Sequence, residues 1–316
     1  MYGALTNAKQ KRSKPQMKKK KVKKSLGKKG LPSEGKLVEE GTAKVFFQGD
    51  VFYNPVQVFN RDLSIHVIKA FDVLRKEELK TGKSKIRRAT QRGIKVENLR
   101  ILEALSATGL RSIRYVKEIP NVAKCVANDI SKEAAEAIHR NAVSNECDTS
   151  VLQASHNDAV LLMHQHKTPS KQFHVVDLDP YGAPTMFLDS GVQSVSEGGL
   201  MCVTCTDMPV LSGVYPETCY AKYNSIPVKG KYCHEMALRI LLHSISTHAS
   251  RYGRYIKPLL SVSTDFYIRV FVRVWTSKLQ VKMNPTKQSY VRVLTCSLDS
   301  LDNAPSTCSL TQSLTQ

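Results

Sequence analysis

The chain has 316 residues, 47 of them Lys or Arg and 27 of them Asp or Glu, which gives a formal net charge of +20. A chain of this length can bury a full α/β domain together with a second, smaller unit. The charge indicates a polyanionic partner such as RNA. No stretch is long and apolar enough to predict a membrane span, and the eight cysteines show no regular framework that would predict a disulfide scaffold.

Much of the positive charge lies in the first 36 residues, which contain lysine runs and no apolar period. This pattern predicts a disordered basic tail over residues 1–36, acting as a nuclear address or as a tail that grips RNA. A mitochondrial presequence is less favoured, because such segments are rich in Arg and form amphipathic helices. A second basic run, residues 80–92, predicts a loop where backbone phosphates bind, with plain solvation as the alternative.

Four apolar strands are predicted in the middle of the chain, separated by helical patterns such as residues 132–145. The first begins at Leu99, and the others cover residues 122–127, 150–154 and 173–177. The first strand leads through a turn of small residues, 106–109, into a helix, and such a turn lets a ligand approach the backbone closely. Together these features predict a parallel sheet with a ligand at its carboxyl edge.

Acidic residues follow the second and third strands. Asp129 lies about 20 residues past Gly109, an offset that suits the ribose hydroxyl groups of a nucleotide-like cofactor. Asp158, followed by Ala159, is placed to accept a hydrogen bond from an adenine amino group. A dinucleotide-binding dehydrogenase is the competing interpretation, but the turn lacks its glycine triplet, and an adenosyl group with a carried methyl fits better.

The fourth strand ends in Asp177-Leu178-Asp179-Pro180-Tyr181-Gly182. A carboxylate at Asp179 can accept a hydrogen bond from the exocyclic amine of a planar base, and Tyr181 offers a ring on which a flipped base can stack. Pro180 stiffens the turn, and an ordinary Asp-Pro turn after a buried strand is the alternative. Because Asp177 and Asp179 point the same way on a strand, we predict that Asp179 contacts the amine and Asp177 supports it, while the reverse assignment stays open.

Cys202 and Cys205 form a C-x-x-C pair inside the apolar run of residues 199–206. Such a pair can signal a zinc or redox site. On a strand, however, these two side chains point to opposite faces of the sheet. We therefore predict that both thiols pack in the core.

Several motifs in one order closely resemble the tRNA (guanine-26, N2)-dimethyltransferase family, over residues 40–291. The motifs are Phe52-Tyr53-Asn54-Pro55-Val56-Gln57, Asn60-Arg61-Asp62, Ser106-Ala107-Thr108-Gly109-Leu110-Arg111, Asn128-Asp129-Ile130-Ser131, Asp177-Leu178-Asp179-Pro180-Tyr181-Gly182, Thr204-Cys205-Thr206-Asp207 and Lys231-Tyr232-Cys233-His234-Glu235. The resemblance implies an α/β, Rossmann-like class I S-adenosylmethionine-dependent methyltransferase fold with a mainly parallel sheet. It also implies that methyl groups pass from S-adenosylmethionine to the exocyclic N2 amine of guanine 26 in tRNA, once or twice, without a metal.

The resemblance also implies a cofactor site. Arg61 and Arg111 would hold the methionine part of S-adenosylmethionine, with Arg61 on its carboxylate. Asp129 would hold the ribose, and Asp158 with the backbone of Ala159 would hold the adenine. The alternative for Arg61 is a residue at the surface start of a helix.

For the guanine, the resemblance implies that Asp179 binds the exocyclic amine. Phe52 and Tyr181 would sandwich the base, and the ring of Tyr181 stands where the family often has Phe. The alternative for Phe52 is simple core packing.

The end of the chain departs from the family pattern. We expect a methyltransferase domain over residues 37–291, followed by an irregular, disordered tail over residues 292–316 in place of the family's C-terminal domain, so the chain resembles a truncated form. Cys296 and Cys308 are too few for a four-ligand zinc site. Two hypotheses follow: an active tRNA methyltransferase of the nucleus, with the mitochondrion and cytoplasm as other compartments, or a catalytically weak RNA-binding product that still binds the cofactor.

Overall fold

The computed structural model describes residues 35–47, 53–81, 98–292 and 310–314, with the backbone alone described at 289–292 and 310–314. The strands are β1 Lys36–Glu40, β2 Ala43–Phe47, β3 Leu99–Glu103, β4 Val122–Asp129, β5 Leu152–His156, β6 Phe173–Leu178, β7 Val195–Cys205, β8 Arg254–Thr264, β9 Tyr267–Thr276, β10 Gln288–Arg292 and β11 Leu310–Leu314. The helices are α1 Val58–Thr81, α2 Leu110–Glu118, α3 Lys132–Ser144, α4 Ala159–Gln165, α5 Thr185–Ser194, α6 Met208–Leu211, α7 Pro216–Tyr223, α8 Cys233–Ser250 and α9 Lys278–Lys282.

Seven strands form one sheet in the order β5-β4-β3-β6-β7-β9-β8. Strands β3 to β7 are parallel, β9 runs antiparallel to β7, and β8 runs antiparallel to β9. Every residue of β6 is buried, as expected for a central parallel strand that is covered on both faces. The chain progresses outward from β3 in one direction and then returns to add β6 on its other side, so a topological switch point lies between β3 and β6.

Alternate residues of the central strands face two separate hydrophobic cores. Val175 and Cys202 belong to the core formed with α1, α2, α3 and the β1–β2 hairpin, whereas Val176 and Cys205 belong to the core formed with α4, α5, α7 and α8. The prediction that Cys202 and Cys205 pack on opposite faces is confirmed. Both are free thiols, and burial raises the pKa of Cys205 to about 11, so this thiol is neutral near pH 7.

The predicted central strands and the helices between them are confirmed, with ends that move by one or two residues. The structure differs from the expectation for the tail over residues 292–316, because Leu310–Leu314 form β11 and pair antiparallel with Gln288–Arg292. Two extended segments that satisfy each other's backbone groups need no hydrophobic period, which is why the sequence pattern did not reveal this pair. Residues 1–34 and 82–97, which hold most of the basic tail predicted over residues 1–36 and most of the basic loop, lie outside the described residues, and Lys36 begins β1.

Within the described ranges, no helix is long and apolar enough to cross a membrane.

A candidate ligand site at the carboxyl edge of the sheet

The turn between β3 and α2 forms the first part of the site. Its backbone is left-handed at Ala107, with φ 48°, and at Gly109, with φ 78°. Ala107 is exposed, while Gly109 packs so closely on α3 that a Cβ there would lie 3.1 Å from the Ile138 side chain. The small residues therefore bring bare backbone to the carboxyl edge next to the switch point.

Asp129 ties this turn to the end of β4. Its Oδ2 accepts a hydrogen bond from the backbone N–H of Ala107 at 2.8 Å, and its Oδ1 accepts one from Ser131 N–H at 3.0 Å. The carboxylate is half-buried and lies at the edge of the sheet where the turn is open. A carboxylate in this place has lone pairs left for hydroxyl donors, and its predicted role in ribose binding stays a prediction.

Asp158 and Ala159 lie at the start of α4, beside Asp129. Asp158 is the N-cap, and its Oδ1 accepts a hydrogen bond from Leu161 N–H at 2.8 Å. The backbone N–H of Asn157 donates to the carbonyl oxygen of Asp129 at 3.1 Å, which brings the two turns together. The helix N-terminus leaves backbone N–H groups such as that of Ala159 without intrahelical partners, so both residues are available to a ligand.

Arg111 and Asp179 form an ion pair across the switch point. Arg111 Nη2 contacts Asp179 Oδ2, and Arg111 Nη1 donates to Asn60 Oδ1 and to Ser64 Oγ, each at 3.1 Å. Arg111 is buried, whereas the Asp179 side chain keeps 20% of its surface exposed. The sequence places Arg111 with the cofactor and Asp179 with the base, and the structure joins the two.

Asp177 is fully buried and takes a different set of partners. Arg269 Nη2 donates to both of its carboxylate oxygens, at 2.9 and 3.0 Å, and the hydroxyl of Tyr115 donates to Oδ2. Arg111 Nη1 lies 3.5 Å from the same Oδ2, so Asp177 and Asp179 do point toward one cation, as predicted. Burial by itself would raise the pKa of Asp177, but Arg269 and Arg111 outweigh burial and hold this pKa below its usual value.

Glu103, the last residue of β3, is a member of this cluster that the sequence patterns did not single out. Its Oε1 lies 3.5 Å from Arg111 Nε, and its Oε2 accepts a hydrogen bond from Ser112 Oγ. Burial raises the pKa of Glu103 to about 7, although Arg111 and Ser112 act against the rise. The only sequence signal for Glu103 was its position at the end of a predicted strand, just before the turn of small residues 106–109.

The raised pKa of Glu103 links the stability of the protein to pH. Between its usual pKa of 4.5 and about 7, the folded protein holds a proton on Glu103 that the unfolded chain has released. The folded state therefore binds more protons in this range, and its stability falls as pH rises. The stabilising contribution of protonated Glu103 to the free energy of unfolding is fully present below about pH 4.5 and is lost as pH rises through about 7.

Glu103→Gln is expected to remove this dependence. Relative to the variant, the wild type should lose on the order of 1 kcal/mol of unfolding free energy per pH unit across that window. Urea denaturation of both proteins at about pH 5, 6 and 7 measures the difference. Parallel pH profiles would mean that Glu103 is already ionised in the folded protein.

Arg61 lies in a neighbouring ion cluster. Its Nε and Nη2 donate to the two carboxylate oxygens of Glu40, each at 2.6 Å, and Arg114 Nη1 donates to the same carboxylate at 2.8 Å. Arg61 is buried near the start of α1, so the alternative of a surface helix start does not describe it. Its predicted role on the methionine carboxylate stays a prediction, since that role requires Arg61 to exchange Glu40 for the ligand.

The loop after Asp179 is fixed at both ends and exposed in the middle. Pro180 is buried, and Thr206 at the end of β7 holds Gly182 twice: Gly182 N–H donates to Thr206 Oγ1 at 2.7 Å, and Thr206 N–H donates to the Gly182 carbonyl at 3.0 Å. Between these points Tyr181 is 87% exposed. A ring held out in this way is available for stacking. Phe52, its predicted partner in the sandwich, lies outside the described residues.

The structure thus pairs Arg111 with Asp179, two residues before the exposed Tyr181, and joins the turn of Asp129 to the turn that leads into Asp158 and Ala159. Among the residues described, no group of three or more His, Cys, Asp or Glu side chains is arranged to hold a metal ion.

A doubly wound sheet with polar side chains gathered at its switch point defines a Rossmann-like α/β protein whose ligand site lies at the carboxyl edge. The chain belongs to the N2,N2-dimethylguanosine tRNA methyltransferase family, whose model matches residues 33–313. Trm1 from Pyrococcus horikoshii, solved in complex with S-adenosyl-L-methionine, superposes with a TM-score of 0.69 at 29% identity, covering 87% of this chain and 69% of that one.

Two curated relatives are tRNA (guanine(26)-N(2))-dimethyltransferases. The Drosophila melanogaster protein is 47% identical over 280 residues, which cover 82% of this chain and 48% of the relative. The Mus musculus protein is 47% identical over 288 residues, which cover 80% of this chain and 43% of the relative. The chain spans about half the length of the curated relatives it matches.

Proposed function

We propose that this chain carries the catalytic domain of a tRNA methyltransferase that uses S-adenosylmethionine to methylate the exocyclic N2 amine of guanine 26, once and then again. The observation that carries the proposal is the Arg111–Asp179 pair beside exposed Tyr181, at the switch point of a sheet shared with a relative solved in complex with S-adenosylmethionine. The names of the curated relatives support the choice of tRNA and of the guanine amine.

The residues at the carboxyl edge fit an adenosyl cofactor by the chemistry of their donors and acceptors. The carboxylate of Asp129 would hold the ribose hydroxyl groups, and Asp158 with the first N–H groups of α4 would hold the adenine. Arg61 and Arg111 would hold the methionine end, and each is paired with a carboxylate in the structure. Binding the methionine carboxylate therefore requires one of these arginines to change partner.

S-adenosylmethionine, when bound, supplies the methyl group. The guanine amine is a poor nucleophile because its lone pair is delocalised into the ring. Asp179 would accept a hydrogen bond from the amine, orient the lone pair in line at about 3–3.5 Å, and take up the released proton. Arg111 holds the carboxylate of Asp179 in place through their ion pair, while Tyr181 would keep the flipped base stacked.

One experiment tests the function. Labelled S-adenosylmethionine and unmodified tRNA are incubated with this chain, and with a chimera that adds the remaining part of the Drosophila relative. Label in N2-methylguanosine and N2,N2-dimethylguanosine at position 26 is the expected result. Cofactor binding without transfer by either protein would favour the second hypothesis, a catalytically weak RNA-binding protein.

Asp129→Ala is expected to weaken S-adenosylmethionine binding by about 1–3 kcal/mol, because the ribose hydroxyl groups lose their acceptor. Isothermal titration calorimetry measures the affinity. Asp148→Ala is a matched control, since Asp148 Oδ1 likewise accepts the N–H two residues on, from Ser150 at 2.8 Å, and follows α3 rather than a strand of the site. Equal affinities for wild type and Asp129→Ala would remove Asp129 from the site.

The basic first 36 residues support a nuclear location for the protein. The Saccharomyces cerevisiae relative is described as mitochondrial, so the mitochondrion is the alternative. Imaging a fluorescent fusion of the whole chain, with and without residues 1–36, distinguishes the two compartments.

A further inference from the structure

We propose that an aromatic and basic surface beside the site binds unstacked nucleotides of the RNA that flank the target guanine. We call it the aromatic rim and define it as Tyr215, Tyr220, Lys229, Tyr232 and Phe266. The proposal rests on the proposed function, because it names how the RNA substrate of that site would be held.

The topology places the rim at the carboxyl edge. The connection from β7 to α8 begins at this edge, and the β8–β9 hairpin, with Phe266 at its tip, turns there because β8 is parallel to β7. In the order β6-β7-β9-β8, these two connections lie beside the loop of Tyr181, which follows β6. With strands about 4.8 Å apart, the connections span about 15 Å of the edge, enough for a few nucleotides.

Specific contacts hold the connections together. Thr206 joins the start of the β7–α8 connection to the Tyr181 loop through its two hydrogen bonds with Gly182. Within the connection, Gly213 lies against the backbone of Lys229, whose nitrogen would be 3.0 Å from a Cβ at that position. At the end of the connection, His234 Nδ1 lies 3.0 Å from the Ser263 hydroxyl, next to the hairpin.

The rim aromatics contribute little to the core. On α7, Cys219 and Tyr223 are buried, whereas Tyr220 faces outward. The four rim rings keep between 42% and 58% of their surface exposed. No hydrogen bond from the hydroxyl groups of Tyr215, Tyr220 or Tyr232 to another described residue is formed. Exposed rings grouped at one edge indicate a binding surface.

The charges favour RNA as the occupant. Lys229 and Lys231 are exposed and form no ion pair within the described ranges. Ammonium groups interleaved with π-faces suit a nucleic acid strand, whose phosphates pair with lysine and whose bases stack on rings without regard to sequence. An apolar protein segment would gain nothing from the two lysines, and it enters as an outcome of the test.

The test is equilibrium binding of unmodified tRNA by fluorescence anisotropy, without cofactor, at two salt concentrations. Tyr215→Ala and Tyr220→Ala are each expected to weaken binding by about tenfold, while Tyr→Phe at either position retains it. Lys229→Ala should reduce the slope of log affinity against log salt by about one. Tyr252→Ala is the control for removing an exposed ring, because Tyr252 is similarly exposed and precedes β8, at the opposite edge of the sheet; unlike the rim tyrosines, its hydroxyl donates to Asp189.

Wild-type affinity in the tyrosine variants, as expected if protein covers the rim, would overturn the proposal. An equal loss in Tyr252→Ala would overturn it as well. These outcomes do not depend on methyl transfer. Transfer with wild-type RNA affinity in the variants would refute the rim alone, whereas weakened RNA affinity without any transfer would refute the proposed function alone.

Discussion

Replacing Asp179 with alanine is expected to lower methyl transfer to tRNA by about 10²-fold or more, the scale of a positioned acid–base group. The fold should survive, because Asp179 is partly exposed and Arg111 keeps Glu103 and Asp177 within 3.5 Å. Cofactor affinity should stay the same or increase, because Arg111 Nη2 no longer contacts the Asp179 carboxylate, which would compete with the methionine carboxylate for it. The effect should therefore fall on kcat rather than on cofactor binding.

Asp179→Asn separates positioning from proton transfer. The amide keeps the size and an oxygen acceptor but loses the charge, so it should restore the orientation of the amine and not the uptake of its proton. Single-turnover transfer from labelled S-adenosylmethionine measures the chemical step, using whichever of the chain and the chimera is active. Near-normal transfer by Asp179→Ala would end the assignment and make Asp177 the candidate.

Local patterns were enough to predict the framework of the site. A strand that ends in a polar group leaves a signal within a few residues, so the turns carrying Asp129, Asp158 and Asp179 were predictable. The alternation of a strand also predicted that Asp177 and Asp179 face one side, and both contact Arg111.

The partners of these residues were not predictable, because they come from distant parts of the chain. Arg269 reaches Asp177 only through the register of β9 against β7, a pairing that hydrophobic alternation does not specify. Glu40, which forms the ion pair with Arg61, comes from the β1–β2 hairpin, where the resemblance to the family begins. Like-charged side chains are interchangeable in a sequence pattern, so only the fold decides which arginine meets which acid.

Asp177→Ala is expected to lower the free energy of unfolding by about 3–5 kcal/mol, because it leaves a buried cation without its partner. Arg269 is fully buried and directs Nη2 at both oxygens of Asp177, and its Nη1 donates to Thr204. A neutral hydroxyl cannot balance a buried guanidinium. Asp179→Ala should lower the free energy of unfolding much less, because the Asp179 carboxylate is partly exposed.

Urea denaturation measures both changes, and a double-mutant cycle identifies the cause. Arg269→Met should also be strongly destabilising, since it leaves the buried Asp177 carboxylate with the Tyr115 hydroxyl and the more distant Arg111, at 3.5 Å. Asp177→Ala combined with Arg269→Met should cost clearly less than the sum of the two single changes, because the pair is then removed as a unit. If Asp177→Ala kept wild-type stability and lost methyl transfer, Asp177 would be the residue that contacts the amine. Because Asp177 is fully buried, its side chain would then have to become accessible when RNA binds.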